Sequence, residues 1–485
     1  MGLKERAIAG VAWNTVAKVT ASVISIAQLA VVARYVDKAD FGLVSTVHVV
    51  LGLVMMFSDL GMYAAMMHKQ DITEKQYSSI YWMNWVLNLG LYAIICAIAY
   101  PVSLFYGEPQ LTKLIIVLGI NGLLSCFGKV FYTIKQKNLE FGFISIVSIA
   151  CQVTTLLATV VMCVLGCGIW SLICPALISG VLSAVVFSVE GMKTMRIHWY
   201  FNFQEIKEMF HIGLWDTGAQ LMDYICYKLD VLLIGKLFGM ETLGLYNIGK
   251  ELAMRAFKML NPIINSVATP ILAKLQKERE RLEENYLLIL RILTFICFPI
   301  LFALSIFAEP TITLFFSEKY QGSAPFVSIL CFWAMVACIG NPAGNLVVAT
   351  GRTDLEFKWT VVRLICVPIA VVLASFFSPI AIAWSQVILQ AFFFYIYWRM
   401  MIYATAHISF PHYVGSILPA TISCIVAAIP AFLYHYLLDL NIWVDLVGGC
   451  AIFAVVYLVA SWFLNKRMFD FAKNICLTIY QKIKS

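Results

Sequence analysis

The chain has 485 residues, of which 61% are hydrophobic and only 13% are charged, and its formal net charge is +7. A soluble protein of this length needs far more polar surface, so the composition excludes a soluble globular domain and indicates an integral membrane protein. The apolar segments lack the alternation over about ten residues that marks membrane β-strands, which favours helical spans.

Apolar segments long enough to cross the hydrocarbon core, which needs about 20 residues, recur along the whole chain. We therefore predict an all-α integral membrane protein with about fourteen transmembrane helices. The first segment follows MGLKERAIAG, which has no cleavage site of small residues, and it is expected to remain as a span. The predicted spans are 8–33, 42–66, 79–105, 111–133, 142–165, 169–189, 211–238, 244–272, 286–308, 322–349, 359–377, 380–400, 413–437 and 441–464.

Lysine and arginine residues favour one side of these spans. Of the 34 in the chain, 21 lie in segments on the side of the N-terminus, five lie on the opposite side and eight lie inside spans. Because basic loops remain in the cytoplasm, this split predicts that both termini are cytoplasmic. An odd number of spans would place the basic C-terminal segment outside.

Two halves of the chain carry the same landmarks. The segment that begins WNTVAKVTAS aligns without gaps with the segment that begins WDTGAQLMDY, at an offset of 202 residues, and the hinge sequence Leu-Glu-Phe occurs in both KQKNLEFG and GRTDLEFK. Spans 1–6 and 7–12 are therefore predicted to be parallel repeats, an architecture of transporters whose substrate site lies between the halves. The alignment pairs Trp13 with Trp215, Thr15 with Thr217, Arg34 with Lys236, and Gly42-Leu43 with Gly244-Leu245.

This repeat predicts five segments: two parallel six-helix lobes around a central cavity, a linker between them, two extra helices and a tail. The linker contains FNFQEIKEMF, and the tail has apolar residues at helical spacing with lysines elsewhere. Both are predicted to lie at the cytoplasmic membrane surface as amphipathic helices. The predicted boundaries are 1–190, 191–210, 211–401, 402–465 and 466–485.

Polar residues form one helical face on three of the predicted spans. Charged side chains are costly in lipid, so these faces are expected to line a hydrated cleft or to meet one another. The faces consist of Asn14, Lys18, Ser25 and Gln28 on span 1, of Asp216, Gln220, Asp223, Tyr227 and Asp230 on span 7, and of Asn247, Glu251, Met254, Lys258, Asn261 and Asn265 on span 8.

The cations in and near these faces outnumber the anions, so the predicted cavity attracts anions. The cationic candidates for substrate binding are Lys18, Lys228, Lys250, Arg255, Lys258, Arg291 and Arg363. The acidic candidates are Asp59, Asp216, Asp223, Asp230 and Glu251. Two alternatives stay open for each group: the arginines Arg291 and Arg363 could snorkel to lipid headgroups, and the carboxylates could either balance lysines or bind a coupling H⁺ or Na⁺.

No motif of a catalytic, metal or cofactor site is recognisable. The fourteen cysteines are scattered singly inside spans, and HExxH, Walker A and CxxC sequences do not occur. The cysteines are therefore interpreted as small packing residues, and the chain is expected to be neither an enzyme nor a cofactor-binding protein.

Several stretches resemble one known family when they are taken in order. They are LKERAIAGVAWN, ARYVDKADFGLVS, SDLGM, QDITEKQYSSIYWMN, LIGKLFGMETLGLYNIGKELA, IFAEPTITLFFSEKY and ATGRTDLEFK. Together they resemble the polysaccharide-exporting branch of the multidrug/oligosaccharidyl-lipid/polysaccharide flippase superfamily, and within it the Wzx-type colanic acid exporters. The resemblance runs through nearly the whole chain.

The resemblance implies two six-helix lobes, alternating access and location in the bacterial inner membrane. It implies a substrate of undecaprenyl pyrophosphate bearing an oligosaccharide, moved from the cytoplasmic to the periplasmic leaflet, with polysaccharide polymerases and glycosyltransferases as neighbours and no nucleic-acid partner. Basic residues hold the pyrophosphate in related flippases, and the matching candidates here are Lys18 and the Lys250, Arg255 and Lys258 group.

Two other functions remain as alternatives at the level of sequence. A cation-coupled multidrug exporter of the same superfamily would favour twelve spans and a more acidic cavity. A membrane-embedded glycosyltransferase or polymerase would carry a large periplasmic loop with catalytic residues, whereas the predicted outward loops are short.

Overall fold

The structure, a computed structural model, describes residues 3–58, 60–68, 72–276, 278–437, 441–466 and 468–470. These residues fold into α-helices joined by short turns, and no strand occurs among them. The helices are α1 (Leu3–Tyr35), α2 (Lys38–Met55), α3 (Met62–His68), α4 (Glu74–Tyr106), α5 (Gln110–Lys137), α6 (Phe141–Val164), α7 (Trp170–Thr194), α8 (Phe203–Leu275), α9 (Arg279–Ile306), α10 (Ala308–Phe316), α11 (Ala324–Ala349), α12 (Thr353–Ser375), α13 (Pro379–Tyr397), α14 (Ala404–Ala406), α15 (Phe410–Leu437) and α16 (Ile442–Leu464), with a 3₁₀ turn at Glu318–Ser323 and a π-helical turn at Trp398–Tyr403.

Thirteen helical segments of the described chain are long and apolar enough to cross a membrane. The predicted all-α membrane fold is confirmed, and the chain is a multi-pass membrane protein. The difference from fourteen arises in α8, a 73-residue helix that is broken at Gly239, where φ is 84° and ψ is 167°. Two spans were predicted to meet there, at 211–238 and 244–272, so the count of fourteen stays a prediction.

The residues at both ends of α4 explain where this helix begins and ends. The Thr73 hydroxyl accepts a hydrogen bond from the Gln76 amide at 3.3 Å, and the Gln76 side-chain oxygen accepts one from the Thr73 amide at 3.1 Å. This reciprocal cap satisfies two amides that the first turn leaves unpaired. Gly107 ends the helix in the left-handed region, with φ at 75°, where glycine carries no steric penalty.

The two Leu-Glu-Phe sequences lie at or directly after the turns that join consecutive helices. The first joins α5 to α6, and Lys135 contacts Glu140 there at 2.7 Å. The second lies in the first turn of α12, directly after the turn that follows α11, and Arg352 contacts Asp354 there at 3.0 Å. Each turn therefore carries a cation–carboxylate pair next to the repeated sequence.

The chain divides into two compact units, Met1–Asn247 and Ile248–Ser485, and the boundary falls within α8. The predicted lobes met earlier, in the linker at 191–210, and those lobe boundaries stay a prediction. In the first unit α5 packs against α4 and α7, and α6 packs against α1 and α7. In the second unit α9 packs against α11 and α15, and α15 pairs with α16.

The linker before α8 folds back onto α4. Its backbone amide at His198 donates to the Ser78 hydroxyl at 3.0 Å, and the Trp82 indole N–H donates to the His198 carbonyl at 2.9 Å. Trp199 stacks on Trp82 with ring centres 4.3 Å apart. The linker is thus held on the first unit, whereas the predicted amphipathic face at 205–210 and the tail from 471 onward lie outside the described side chains.

Candidate functional site

Three cations, Lys250, Arg255 and Lys258, lie on α8 beyond the break at Gly239, and they are called the α8 cations. Lys250 is the first of them in the sequence and is only 6% exposed. It lies beside Gly249, where α8 approaches α11 so closely that an added Cβ would lie 2.8 Å from the Cβ of Phe326. The close approach brings the Lys250 ammonium to 5.6 Å from the ring centre of Trp333 on α11. A cation over an indole face in a desolvated setting is stabilised by about 2 kcal/mol.

One carboxylate contacts two further cations in this group. Glu251 accepts hydrogen bonds from the Lys258 ammonium at 2.7 and 3.1 Å, and its Oε2 lies 3.8 Å from Nε of Arg255. Arg255 is four residues from Glu251, the spacing at which helical side chains are neighbours, yet Lys258 is the nearer partner. Lys250 adds a third cation on the same stretch of helix, so three cations and one carboxylate give the group a net positive formal charge.

Arg255 has hydrogen-bonding capacity that its contact with Glu251 does not use. Its Nε is buried and makes no hydrogen bond to any residue that the structure describes. A buried donor without an acceptor costs about 1–3 kcal/mol. An incoming anion that accepted this hydrogen bond would recover that free energy.

The polar face of α8 continues toward its C-terminal end. The side-chain amide of Asn341 on α11 donates to the side-chain oxygen of Asn261 on α8. This contact joins the two helices at Asn261, three residues beyond Lys258 in α8. Asn265, the last residue of the predicted face, has a side chain outside those that the structure describes.

Asp230 lies on the other side of the Gly239 break and is fully buried. One carboxylate oxygen accepts a hydrogen bond from the Tyr246 hydroxyl, and the other accepts one from the Val231 amide at 2.8 Å. Tyr246 is also fully buried and lies beyond Gly239 in the sequence. The pair therefore joins the two segments of α8 across the break, a contact that helical periodicity alone does not predict.

The remaining candidates are spread over several helices. Lys228 on α8 is half-buried with its ammonium 5.2 Å from the Tyr227 ring centre, and Asp223 is half-buried on the same helix. Lys18 is exposed on α1. Two candidates are not placed: Asp59 lies outside the described residues, and Asp216 lies in α8 with a side chain outside those described.

Two arginines and one glutamine complete the predicted set. Arg291 on α9 and Arg363 on α12 are both half-buried. Gln28, on the polar face of α1, donates from Nε2 to the Thr159 hydroxyl on α6 at 3.0 Å. This end of the α1 face therefore holds α1 against a neighbouring helix.

The first turn of α2, Lys38–Gly42, packs directly against its repeat equivalent in α8, Met240–Gly244. A Cβ added at Gly42 would lie 1.9 Å from the Met240 carbonyl oxygen, and one added at Gly244 would lie 2.0 Å from the Lys38 carbonyl oxygen. Under the 202-residue offset Lys38 corresponds to Met240 and Gly42 to Gly244, so each contact is the repeat image of the other. Lys38 also contacts Glu241 at 2.5 Å across the same junction.

The family described as "Polysaccharide biosynthesis protein" matches residues 31–325, more than half of the chain. The chain belongs to this family. A relative within the curated proteins is the lipopolysaccharide biosynthesis protein WzxC of Escherichia coli strain K12, which is 28% identical over 371 residues that cover 75% of this chain and 74% of WzxC. The predicted family resemblance is confirmed.

Solved structures of two transporters share the fold of this polysaccharide biosynthesis protein. The lipid II flippase MurJ in an inward closed conformation matches with a TM-score of 0.73 at 14% identity, covering 93% of this chain and 98% of MurJ. A multidrug resistance transporter of the MATE family and MOP superfamily in an inward-facing conformation matches with a TM-score of 0.56 at 14% identity, covering 95% of this chain and 99% of that one. At this identity the likeness establishes the fold alone.

Proposed function

We propose that this chain is a flippase that carries an undecaprenyl-pyrophosphate-linked oligosaccharide from the cytoplasmic to the periplasmic leaflet by alternating access. The α8 cation group is the observation that carries the proposal. Lys250, Arg255 and Lys258 lie within about two turns of one helix, and the last two contact the Glu251 carboxylate. Family membership and the likeness to WzxC, a lipopolysaccharide biosynthesis protein, give independent support.

The chemistry of a diphosphate matches this group. A diphosphate that leaves the headgroup region loses its water, and several ammonium or guanidinium donors are needed to replace that hydration. The α8 cations supply such donors, and binding of this kind makes and breaks no covalent bond. The chain would thus act as a transporter and not as an enzyme, and it would use no cofactor.

Cells that lack this chain provide the test. We expect lipid-linked oligosaccharide to accumulate in the cytoplasmic leaflet and the matching surface polysaccharide to disappear, while sensitivity to cationic dyes is unchanged. Full-length chain supplied from a plasmid should reverse both effects. Normal surface polysaccharide together with raised dye sensitivity would contradict the proposal and support the multidrug exporter.

The energy source for transport is a separate question, and Asp230 bears on it. Because its carboxylate is buried and held by Tyr246, we propose that Asp230 stabilises the break in α8 and does not bind a coupling ion. In proteoliposomes, Asp230→Asn and Tyr246→Phe should both lower thermal stability and leave the response to a pH or Na⁺ gradient at the wild-type level. Loss of the gradient response in Asp230→Asn, with stability retained, would assign H⁺ or Na⁺ coupling to this carboxylate.

The location of the termini is predicted from the distribution of lysine and arginine. We propose that both lie in the cytoplasm and that the protein resides in the bacterial inner membrane. Reporter fusions at Gly107, in the turn between α4 and α5, and after Ser485 should report opposite compartments. Both reporters on one side would contradict a topology with an even number of spans.

A further inference from the structure

Two apolar grooves adjoin each other in the unit Met1–Asn247. The first has a volume of about 390 Å³ and is lined by α2, α4 and α8, and the second has a volume of about 560 Å³ and is lined by α2, the turn after it and α4. Leu53 on α2 lines both. The two grooves therefore form one continuous apolar track along α2 and α4.

The length of the track is set by α4. Its lining residues run from Val86 in the second groove to Phe105 in the first. With a rise of 1.5 Å per residue, that stretch of helix measures about 28 Å. The hydrocarbon core is about 30 Å thick, so the track is roughly twice as long as one leaflet is deep. An acyl chain of a leaflet phospholipid would fill only part of it.

The chemistry of the wall is apolar apart from two side chains of α8. The Tyr224 hydroxyl donates to the Val49 carbonyl at 3.0 Å, so it is used in holding α8 against α2. The other is the Lys228 side chain, which lines only the first groove, at the end of the track that Phe105 also lines. This end of the track lies close to Gly107, where α4 ends.

These features select a particular kind of occupant. An acyl chain of a phospholipid reaches only about halfway along a track of about 28 Å, whereas a polyprenyl chain is longer than one leaflet and can follow its full length. The Lys228 ammonium supplies a positive charge for a phosphate at one end of such a chain. Length and charge together point to one molecule.

We propose that the α2–α4 track binds the polyprenyl chain of a polyprenyl phosphate and that Lys228 contacts its phosphate. This inference rests on the proposed flippase function and adds a lipid-chain site to it. The site is separate in sequence from the α8 cations at Lys250, Arg255 and Lys258.

Gly90 offers a clean way to block the track. It lines the second groove on α4, and an added Cβ would meet no atom within 4 Å. Gly90→Phe therefore fills the groove without disturbing the backbone, and loss of a mid-helix glycine favours the helix. Gly415 on α15 is also a helical, exposed glycine with open space at its Cβ, so Gly415→Phe is a matched control away from the track.

The experiment measures lipid retained by the full-length chain in detergent micelles by native mass spectrometry. The probes are undecaprenyl phosphate, uncharged undecaprenol and dioleoyl phosphatidylglycerol. The series is repeated in a background with Lys250, Arg255 and Lys258 replaced by glutamine, so that phosphate binding by that group does not obscure the result.

The expected result is preferential retention of undecaprenyl phosphate over phosphatidylglycerol. Gly90→Phe should reduce that retention at least about tenfold, the effect of a lost contribution of 1.4 kcal/mol, and Gly415→Phe should not. Lys228→Gln should remove the preference for undecaprenyl phosphate over undecaprenol. Unchanged retention in Gly90→Phe, or displacement by an equimolar amount of phosphatidylglycerol, would overturn the inference.

This outcome is independent of whether the chain proves to be a flippase. If Gly90→Phe retains lipid normally and the wild type flips lipid-linked oligosaccharide, the proposed lipid-chain site is wrong and the proposed function stands. If the wild type flips nothing but Gly90→Phe loses polyprenyl phosphate, the lipid site stands and the function is wrong.

Discussion

Replacement of Lys250, Arg255 and Lys258 together by glutamine should reduce flipping of a lipid-linked oligosaccharide at least about 100-fold. A hydrogen bond to a charged group contributes about 1.5–3 kcal/mol, which corresponds to roughly 10–100-fold for one contact. The triple replacement removes the two donors at Glu251, including the buried Nε of Arg255, and the buried ammonium of Lys250. The rate of flipping in proteoliposomes is the measurement, with the amount of folded protein matched between samples.

Two controls separate charge at this position from charge in general and from folding. Lys113, Lys193 and Lys358 are exposed lysines near helix ends, and their replacement by glutamine changes the net charge equally but should leave flipping unchanged. Adding Glu251→Gln to the α8 triple removes the carboxylate that has lost its partners, and it should restore stability without restoring flipping. Wild-type flipping by the triple variant would show that the cationic site lies elsewhere.

Gly42→Ala and Gly244→Ala should each destabilise the fold by about 1–3 kcal/mol, the usual cost of forcing an extra methyl group into a packed contact. Each new Cβ would lie about 2 Å from a carbonyl oxygen of the facing turn. Both oxygens belong to backbone carbonyls, which cannot move aside as the end of a flexible side chain can. The two turns must therefore separate. The temperature of half-unfolding in detergent should fall for both variants.

The control for this experiment is another helical glycine. Gly218 lies in α8, and a Cβ there would meet no atom within 4 Å. Because alanine favours a helix over glycine by roughly 0.5–1 kcal/mol, Gly218→Ala should be neutral or stabilising. If Gly42→Ala and Gly244→Ala behaved like Gly218→Ala, the close contact between the repeat-equivalent turns would be refuted.

The sequence predicts most of the helices because each span needs a long apolar run, and the run ends where polar or glycine residues begin. α4 shows this clearly, since the Thr73 cap begins this helix and Gly107 ends it. α8 shows the limit. Gly239 marks a break in the pattern, but its φ and ψ, and hence the continuity of the helix, depend on tertiary packing.

The candidate site was predictable as a set of residues but not as a set of pairs. Helical spacing places Glu251, Arg255 and Lys258 on or beside one face, but side-chain conformation decides which cation lies nearest, and it is Lys258. The Asp230–Tyr246 contact depends on the turn at Gly239, which periodicity cannot describe. The 202-residue offset identified Gly42 and Gly244 as equivalents, yet only the folded chain shows that their turns touch.

The most direct test of the proposed function is the transfer of a sugar-labelled undecaprenyl-pyrophosphate oligosaccharide across liposomes that contain only the purified full-length chain. A membrane-impermeant reductant destroys the label in the outer leaflet, so flipping is read as loss of the protected inner fraction over time. We expect the protected fraction to disappear with the wild-type chain and to persist with the α8 triple variant. A protected fraction that persists with the wild-type chain as it does in protein-free liposomes, both with and without an imposed ion gradient, would contradict the account.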